Sequence, residues 1–399
     1  MRPIVLSAYT QTSCLGNGLE AARRALRSGR SGLRASSFEA ADLQTFVGEI
    51  AGVDETRLPE PLARFDCRNN RAAELALAQD GFMDAVARAV ARHGADRVGV
   101  FMGTSTAGIL QTEHAYRRRD PADGSLPADF DNRRTHNTFS IAEYTRARLG
   151  LKGPCAAIST ACSSSAKAFA SAARLMQAGL IDAAVVGGAD TLCLTTLYGF
   201  NSLQLLSAQP CRPFDGARDG ISIGEAAAYF LMERDDDLEA TDGVRLLGTG
   251  ESCDAYHMSS PHPEGLGARL AMEAALRCAG LAPGDIDYLN LHGTGTPAND
   301  AAEDKAVTSL LGIDTPCSST KGMTGHTLGA AGAMEAVVAI LAIEEGLIPG
   351  SPGTRAVDPA LNANYEIAGR SGRVDIAMSN SFGFGGSNCS LVFGRARAA

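Results

Sequence analysis

Apolar, β-rich runs alternate along this chain with Ala-rich stretches that have the composition of helices. Residues 97–103 (RVGVFMG) and 182–188 (DAAVVGG) are of the first kind, and residues 166–179 (AKAFASAARLMQAG) between them are of the second. This alternation is typical of α/β proteins with buried sheets. At 399 residues the chain is too long for one small domain and suits two large halves that pack together.

Two segments of the chain resemble each other. Residues 162–181 (CSSSAKAFASAARLMQAGLI) and 329–348 (GAAGAMEAVVAILAIEEGLI) are both small-residue helices that end in Gly-Leu-Ile, and their alignment places Cys162 opposite Gly329. An internal duplication would bring two equivalent helix starts to one site, although many Ala-rich helices also end at a glycine. The acidic run 233–243 (ERDDDLEATDG) is interpreted as a solvated loop and as the boundary between the halves, residues 1–240 and 241–399.

Composition excludes several classes of function. The net charge of −9 argues against nucleic acid as a partner, but it leaves an acidic protein partner open. The N-terminus lacks the features of a signal peptide, and the longest apolar stretch (333–348) is broken by acids and falls short of the ~20 residues that span a bilayer. We therefore expect a cytoplasmic enzyme that binds neither nucleic acid nor membrane. The 10 cysteines include no CxxC pair, so no zinc ribbon and no metal site of that kind is expected.

One cysteine stands at a strand–turn–helix junction. In ISTACSSSAKAF (158–169) a β-branched run stops at Thr160, and a helix of small residues starts just after Cys162. This layout lifts a nucleophile onto a tight turn. A thiol at a helix start also faces unpaired N–H groups, which favour the thiolate. The alternative is an inert cysteine beside a capped, buried helix.

Two histidines and a phenylalanine lie in glycine-rich loops. His292 follows an apolar strand in YLNLHGTGTPAND, and Lys321 and His326 share the loop SSTKGMTGHTLGAAG. A lysine beside a histidine disfavours the imidazolium, so His326 is expected to be neutral and to donate an N–H. In SNSFGFGGSN the glycines expose backbone N–H groups and allow Phe384 to move. Each motif alone also fits a structural loop or hairpin.

Together the motifs resemble the β-ketoacyl-acyl-carrier-protein (ACP) synthase I/II family of the thiolase superfold. TACSSS, HGTGTPAND and KGMTGHTLGAAG occur in this order, and the similarity runs from SCLGNG near the N-terminus to SFGFGGSN, over essentially the whole chain. The resemblance implies a five-layered α-β-α-β-α sandwich built from two similar halves. It also implies an acyltransferase, a 3-oxoacyl-ACP synthase, that performs a decarboxylative Claisen condensation of an acyl group with malonyl-ACP.

The resemblance assigns roles to individual residues. Cys162 matches the nucleophile, the backbone N–H groups of Cys162 and Phe384 the oxyanion hole, and His292 and His326 the pair that stabilises the enolate. Lys321 and Glu303 match residues that order His326. Further matches concern the substrate and an ion: Thr294 and Thr296 for the phosphopantetheine arm, Phe384 and Phe382 for a gate, Thr106 near a position that limits acyl-chain room, and Asn290, Glu335, Ser379 and Asn380 around a structural monovalent cation.

The resemblance also implies partners. Substrates would arrive on the phosphopantetheine of an ACP, with no other cofactor required, and the chain would form a homodimer or a heterodimer with a related ketosynthase-like subunit. Gln204 replaces a basic residue that often contacts the carrier, whereas Arg64, Arg68 and Arg71 would supply a basic patch for it. These departures leave fatty-acid synthesis and a specialised polyene or polyketide pathway both open.

Three other interpretations remain. A non-catalytic, chain-length-factor-like subunit would lack the nucleophile, whereas this chain has Cys162 together with both histidines. A CoA-dependent thiolase would carry a second catalytic cysteine near the C-terminus, where this chain has Asn388 and Cys389 in a strand-like context. A type III synthase would resemble Cys-His-Asn rather than Cys-His-His.

Overall fold

The computed structural model describes residues 1–234 and 243–395. Most of the acidic run predicted as the boundary loop, residues 235–242, therefore lies outside the described residues. The strands are β1 (Ile4–Ser13), β2 (Gly16–Asn17), β3 (Arg34–Ala35), β4 (Phe46–Gly48), β5 (Val98–Gly103), β6 (Cys155–Ile158), β7 (Ala183–Asp190), β8 (Ile223–Gly224), β9 (Ala226–Arg234), β10 (Arg245–Cys253), β11 (Tyr288–Asn290), β12 (Cys317–Ser318), β13 (Leu347–Ile348), β14 (Arg370–Ser371), β15 (Ile376–Gly383) and β16 (Ser387–Gly394). The α-helices are α1 (Leu19–Ser28), α2 (Arg68–Leu77), α3 (Phe82–His93), α4 (Ile109–Arg117), α5 (Ser140–Arg148), α6 (Ser164–Gln177), α7 (Leu194–Ser202), α8 (Leu266–Ala279), α9 (Pro297–Leu311), α10 (Lys321–Thr324) and α11 (Ala331–Glu345).

The large sheet repeats one topology twice. Its strand order is β12-β11-β15-β16-β10-β1-β9-β7-β5-β6, with β2 paired to β1. In one half, β9 runs antiparallel to both β1 and β7, and β5 and β6 continue parallel to β7. In the other half, β16 runs antiparallel to both β10 and β15, and β11 and β12 continue parallel to β15. The two halves therefore have the same strand order and the same strand directions. They meet at a short antiparallel pairing of β1 with β10.

Helices complete the layers on either side of the sheets. α6 packs on β5 and β7, α11 packs on β15, and the two helices pack against each other between the halves. α2 and α5 cover the outer face of the first half, whereas α8 covers β10 and β16 of the second. The predicted five-layered arrangement of two similar halves is confirmed.

The two central helices explain the sequence echo. α11 is apolar on every side, and its residues 331–343 are all buried, as expected for a helix surrounded by protein. A Cβ on Gly332 would lie 2.7 Å from the Cβ of Ala166, so small residues are required where α11 and α6 cross. The similar segments 162–181 and 329–348 are thus equivalent helices that begin side by side.

No α-helix among the described residues is both long enough and apolar enough to cross a membrane.

Candidate active site

Cys162 lies in a tight turn between β6 and α6, as its motif predicts. Ala161, immediately before it, has φ 51°, a left-handed conformation that costs a non-glycine residue about 1 kcal/mol or more. The Ser164 hydroxyl accepts the N–H of Thr160 at 2.9 Å, and the Ser163 hydroxyl donates to the Thr160 carbonyl at 2.9 Å. These serines therefore hold the strained turn that presents the Cys162 thiol.

His292 lies just beyond the carboxyl end of β11, and its backbone is fixed by Glu303 of α9. The Glu303 carboxylate accepts the N–H groups of His292 at 2.8 Å and of Gly293 at 2.7 Å. Lys321 approaches from the other side: its ammonium donates to the His292 carbonyl and to the Glu335 carboxylate, and it lies 3.4 Å from His292 Nδ1. The Lys321–Glu335 pair is almost completely buried.

His326 follows α10 and is held on both sides of its peptide unit. Its N–H donates to the Ser222 carbonyl at 2.7 Å, and its carbonyl accepts the N–H of Gly224 at 3.0 Å. The N–H of Leu328 donates to His326 Nδ1 at 3.3 Å, so the proton of the neutral ring resides on Nε2. Nε2 lies 3.0 Å from Cys162 Sγ.

The three side chains converge on one point. A sulfur or ring nitrogen from each of Cys162, His292 and His326 lies within 4.8 Å of the others, and the two imidazole rings meet edge to face at 5.2 Å. Burial, with the charge of Lys321 added, holds the pKa of both histidines well below the usual range, so both rings are neutral at pH 7. Since donors face both Nδ1 atoms, each Nε2 presents an N–H, which suits a developing oxyanion better than a metal ion.

The helix start, which favours the thiolate, does not by itself determine the protonation of Cys162. Burial raises the pKa of the Cys162 thiol to about 11, although the charge of Lys321 and the backbone N–H of Phe384 lower it. α6 begins at Ser164, two residues further along the chain. The thiolate is therefore a state that the site must stabilise during reaction, and the charge of Lys321 and the N–H of Phe384 both act in that direction.

The role assigned to Lys321 and Glu303 also needs correction. Neither side chain hydrogen-bonds His326; both fix His292, from opposite sides. Burial raises the pKa of Glu303 to about 7, against the lowering effect of the two backbone N–H groups that it accepts. His326 is instead held by backbone groups of residues 222–224 and 328, which the sequence motif does not reveal.

A cavity of about 260 Å³ leads from the surface to Cys162. Its polar wall contains Thr294 and Thr296, whose hydroxyls lie 2.9 Å apart. Phe382 also lines it, with its ring centroid 5.8 Å from that of His292. Thr106 does not line this cavity; it is buried, and its hydroxyl donates to Asp190 at 2.8 Å.

Phe384 and Phe200 stand together at the apolar wall of the cavity. Their ring centroids are 5.7 Å apart, and Phe384 is 38% exposed in the GFGG turn. Phe200 belongs to α7 and packs against the apolar cluster that contains Ile221. Sequence reasoning missed Phe200 because it lies far along the chain from the histidine and glycine motifs; its spacing in an apolar helix resembles that of any core residue.

Three of the residues matched to a cation site have a buried oxygen atom with no hydrogen-bond partner in the described part of the chain. These atoms are Oδ1 of Asn290, Oε2 of Glu335 and Oγ of Ser379. Asn290 and Ser379 are paired across β11 and β15, on which α11 packs. Because buried polar atoms are rarely left unpaired, oxygen atoms of this kind fit a bound cation. Asn380 fits less well, since its Oδ1 already accepts the Ser390 hydroxyl at 2.8 Å.

The basic patch expected from three arginines does not form as such. Arg68 is only 4% exposed, and its guanidinium is paired with the buried carboxylate of Glu225 and with Asp54. Arg71 is paired with Asp66 at 2.6 Å. Arg64 is exposed. The prediction is therefore wrong for Arg68, because its guanidinium is buried in ion pairs and is not exposed to a carrier protein.

Both halves of the chain match domain models of the same protein family. Residues 1–237 match the model of the β-ketoacyl synthase N-terminal domain, and residues 244–355 match that of the β-ketoacyl synthase C-terminal domain. The chain is 33% identical to 3-oxoacyl-[acyl-carrier-protein] synthase 2 of Vibrio cholerae, and the alignment covers 99% of each protein.

Solved structures agree with these matches. A chain of the complex of a ketosynthase (ApeO) with its chain length factor (ApeC) from Xenorhabdus doucetiae is 39% identical, with a TM-score of 0.90 over 99% of this chain and 98% of that one. A chain of the ishigamide ketosynthase/chain length factor is 27% identical, with a TM-score of 0.89 over 99% of this chain and 100% of that one. The fold is therefore the thiolase-like ketosynthase fold.

Proposed function

This chain belongs to the β-ketoacyl synthase family and is a β-ketoacyl-ACP synthase, and from that premise we propose a role for each residue of the site. Cys162 accepts the acyl group: its sulfur attacks the thioester carbonyl of an acyl-ACP, the new sulfur–carbon bond forms, and the carrier leaves as a thiol. The backbone N–H groups of Cys162 and Phe384 hold the oxyanion of this step. The Phe384 N–H already points at the Cys162 sulfur.

The two histidines serve the second half-reaction. Malonyl-ACP binds with its thioester oxygen at the Nε2–H groups of His292 and His326, which stabilise the enolate that forms when the carbon–carbon bond to the carboxylate breaks and carbon dioxide leaves. The carbanion then attacks the acyl carbon on Cys162, and the thiolate departs to give a β-ketoacyl-ACP longer by two carbons. The observation that carries this assignment is the convergence of the Cys162 sulfur with one ring nitrogen of each histidine, all within 4.8 Å of one another, where both rings are neutral.

The remaining residues act behind or around the reacting atoms. Lys321 and Glu303 are positioning residues for His292, since both bind its backbone. Thr294 and Thr296 hydrogen-bond the phosphopantetheine arm in the cavity that they line. Phe384 and Phe382 form the gate to the acyl site. A structural monovalent cation at Asn290, Glu335 and Ser379 would supply positive charge to their unpaired oxygens.

Half-reactions test these roles separately. We expect His292→Ala and His326→Ala to be acylated at Cys162 yet to lose malonyl-ACP decarboxylation by about 10²–10³, the cost of one oxyanion donor. His93→Ala, on the outer helix α3, is the matched control and should keep both half-reactions. Undiminished carbon dioxide release by either active-site variant would contradict the assignment.

The partner is proposed to be a second, ketosynthase-like subunit. Two solved relatives belong to complexes of a ketosynthase with a chain length factor. β6 ends the large sheet of the described residues, and its four residues are only half-buried, so a sheet edge is open to a partner. Native mass spectrometry after co-expression with a candidate subunit distinguishes a 1:1 heterodimer, which we expect, from a homodimer, which would refute this pairing.

The pathway is proposed to be a specialised polyene or polyketide synthesis on a dedicated ACP, in the cytoplasm. The 39% identity to a chain from a complex of a ketosynthase with its chain length factor, against 33% to 3-oxoacyl-[acyl-carrier-protein] synthase 2 of Vibrio cholerae, supports this, as does the exposed Gln204 where a basic residue is usual. The proposed halves, residues 1–240 and 241–399, fit the repeated strand order. Ranking acyl-ACPs by rate of Cys162 acylation tests the pathway: preference for saturated fatty-acyl donors over polyunsaturated ones would contradict it.

A further inference from the structure

Asp190, at the end of β7, is a completely buried carboxylate with an unusual set of partners. It accepts backbone N–H groups from Ser105 at 2.9 Å, Thr106 at 3.0 Å and Gly329 at 2.6 Å. It also accepts the hydroxyls of Thr104, Ser105 and Thr106 at 2.6–2.8 Å. Among the described residues no cation pairs with it, so its negative charge is held by neutral donors from two separate segments.

These two segments belong to different parts of the active site. Residues 104–106 follow β5 in the half that carries Cys162, whereas Gly329 follows His326 by three residues in the other half. The bond from Gly329 N–H to Asp190 is the shortest of the three backbone bonds. The carboxylate therefore ties the turn that carries His326 to the half that carries its target sulfur.

The turn between His326 and Gly329 is strained. Leu328 has φ 53°, a left-handed conformation that persists only where neighbouring contacts enforce it. Its N–H is the group that donates to His326 Nδ1 and so orients the ring. The Asp190 bond to the next peptide N–H, together with the 3.0 Å bond from Ala330 N–H to the Thr327 carbonyl, holds this conformation.

We propose that Asp190 is a positioning residue for His326: it fixes the strained peptide whose N–H orients the imidazole, and thereby aims Nε2–H at the reacting oxygen. Asp190 touches no reacting atom itself. The inference rests on the proposed function of His326 as an enolate donor.

Asp190→Asn replaces one carboxylate oxygen by an amide that cannot accept an N–H. We expect malonyl-ACP decarboxylation to fall about tenfold in kcat with KM unchanged, because the donor is misaimed rather than removed. Acylation of Cys162 should stay within threefold of wild type. Gly329→Ala disturbs the same contact from the other side, since its Cβ would lie 2.7 Å from both Asp190 Oδ2 and the backbone N of Ser105, which itself donates to Asp190. It should show the same tenfold loss of decarboxylation with acylation preserved, and it replaces Asp190→Asn in the test if that variant does not fold.

A double-mutant cycle separates positioning from general damage. In a His326→Ala background, Asp190→Asn should cause no further loss of decarboxylation beyond twofold, because it acts through a ring that is gone. Asp287→Asn is the matched control: this carboxylate also accepts two backbone N–H groups, of Asp375 and Ile376 at 2.9 Å, but at the start of β15. It should lower the melting temperature and leave the half-reactions unchanged.

Two results would overturn the inference: wild-type decarboxylation in both Asp190→Asn and Gly329→Ala, or a loss of equal size with and without His326. Normal decarboxylation by His326→Ala alone has a different meaning. It would refute the proposed function of His326 and not the contact made by Asp190.

Discussion

Replacing Glu335 with leucine tests whether the buried ion pair behind His292 holds the site together. Lys321 and Glu335 are 1% and 4% exposed, and the substitution leaves the Lys321 ammonium buried without its carboxylate. Removing one partner of a buried pair costs about 3–5 kcal/mol. An unfolding entropy of about 2.1 cal/mol/K per residue gives about 0.8 kcal/mol per degree for this chain, so the melting temperature should fall by about 4–6 °C.

Thermal unfolding followed by circular dichroism at one scan rate measures this shift. Glu345→Leu is the matched control in the same helix: its ion pairs with Arg23 and Arg27 are partly exposed and worth about 0–1 kcal/mol, or about 1 °C. The double variant Lys321→Met/Glu335→Leu should recover most of the lost stability but not the activity. A Glu335→Leu protein that melts within 1 °C of wild type would refute the reasoning.

Three further predictions follow from the site. Because burial raises the pKa of Glu303 from 4.5 to about 7, the folded state holds a proton that the unfolded state has released, so stability should fall by about 3 kcal/mol as pH rises from 4.5 to 7. Thermal unfolding at pH 5 and pH 8 measures this: the stability of wild type minus that of Glu303→Gln should be smaller at pH 8 than at pH 5. A difference that is the same at both pH values would contradict the raised pKa of Glu303. Potassium or sodium chloride should raise the melting temperature above that in tetramethylammonium chloride at equal ionic strength, and Ser379→Ala should abolish the difference; an unchanged difference would remove Ser379 from the site. Phe200→Ala removes a ring contact worth about 0.5–1.5 kcal/mol, so stopped-flow acylation of Cys162 should be about 2–10 times faster if Phe384 must swing away from it, and an unchanged rate would remove Phe200 from the gate.

The fold was largely predictable from the sequence. Alternating β-rich and Ala-rich runs identify the α/β class, and the similar segments 162–181 and 329–348 indicate the two central helices. These signals are local periodicities and small-residue patterns, which packing in the interior requires. The strand order, in contrast, depends on pairings such as β1 with β9 and β10, far apart along the chain, and was not predicted; only the layered arrangement came through the resemblance.

The sequence motifs single out three side chains that the fold brings together, but they do not reveal the electrostatics of these side chains. A strand–turn–helix junction indicates Cys162, and glycine-rich loops indicate His292 and His326, because tight turns and loops of this kind present side chains to a ligand. The pKa of Cys162 depends mostly on burial, which the helix start alone does not reveal. Likewise, sequence order suggests that Lys321 serves the nearby His326, whereas the fold turns its side chain toward His292.

The acyl-enzyme at Cys162 is the central claim, and intact-mass measurement tests it most directly. The protein is incubated with acyl-ACPs of different chain length and unsaturation, without malonyl-ACP, and then weighed. We predict a single acyl adduct on wild type that is absent from Cys162→Ala, although other buried thiols such as Cys193 remain in both. No adduct on wild type, or an equal adduct on Cys162→Ala, would contradict the assigned nucleophile.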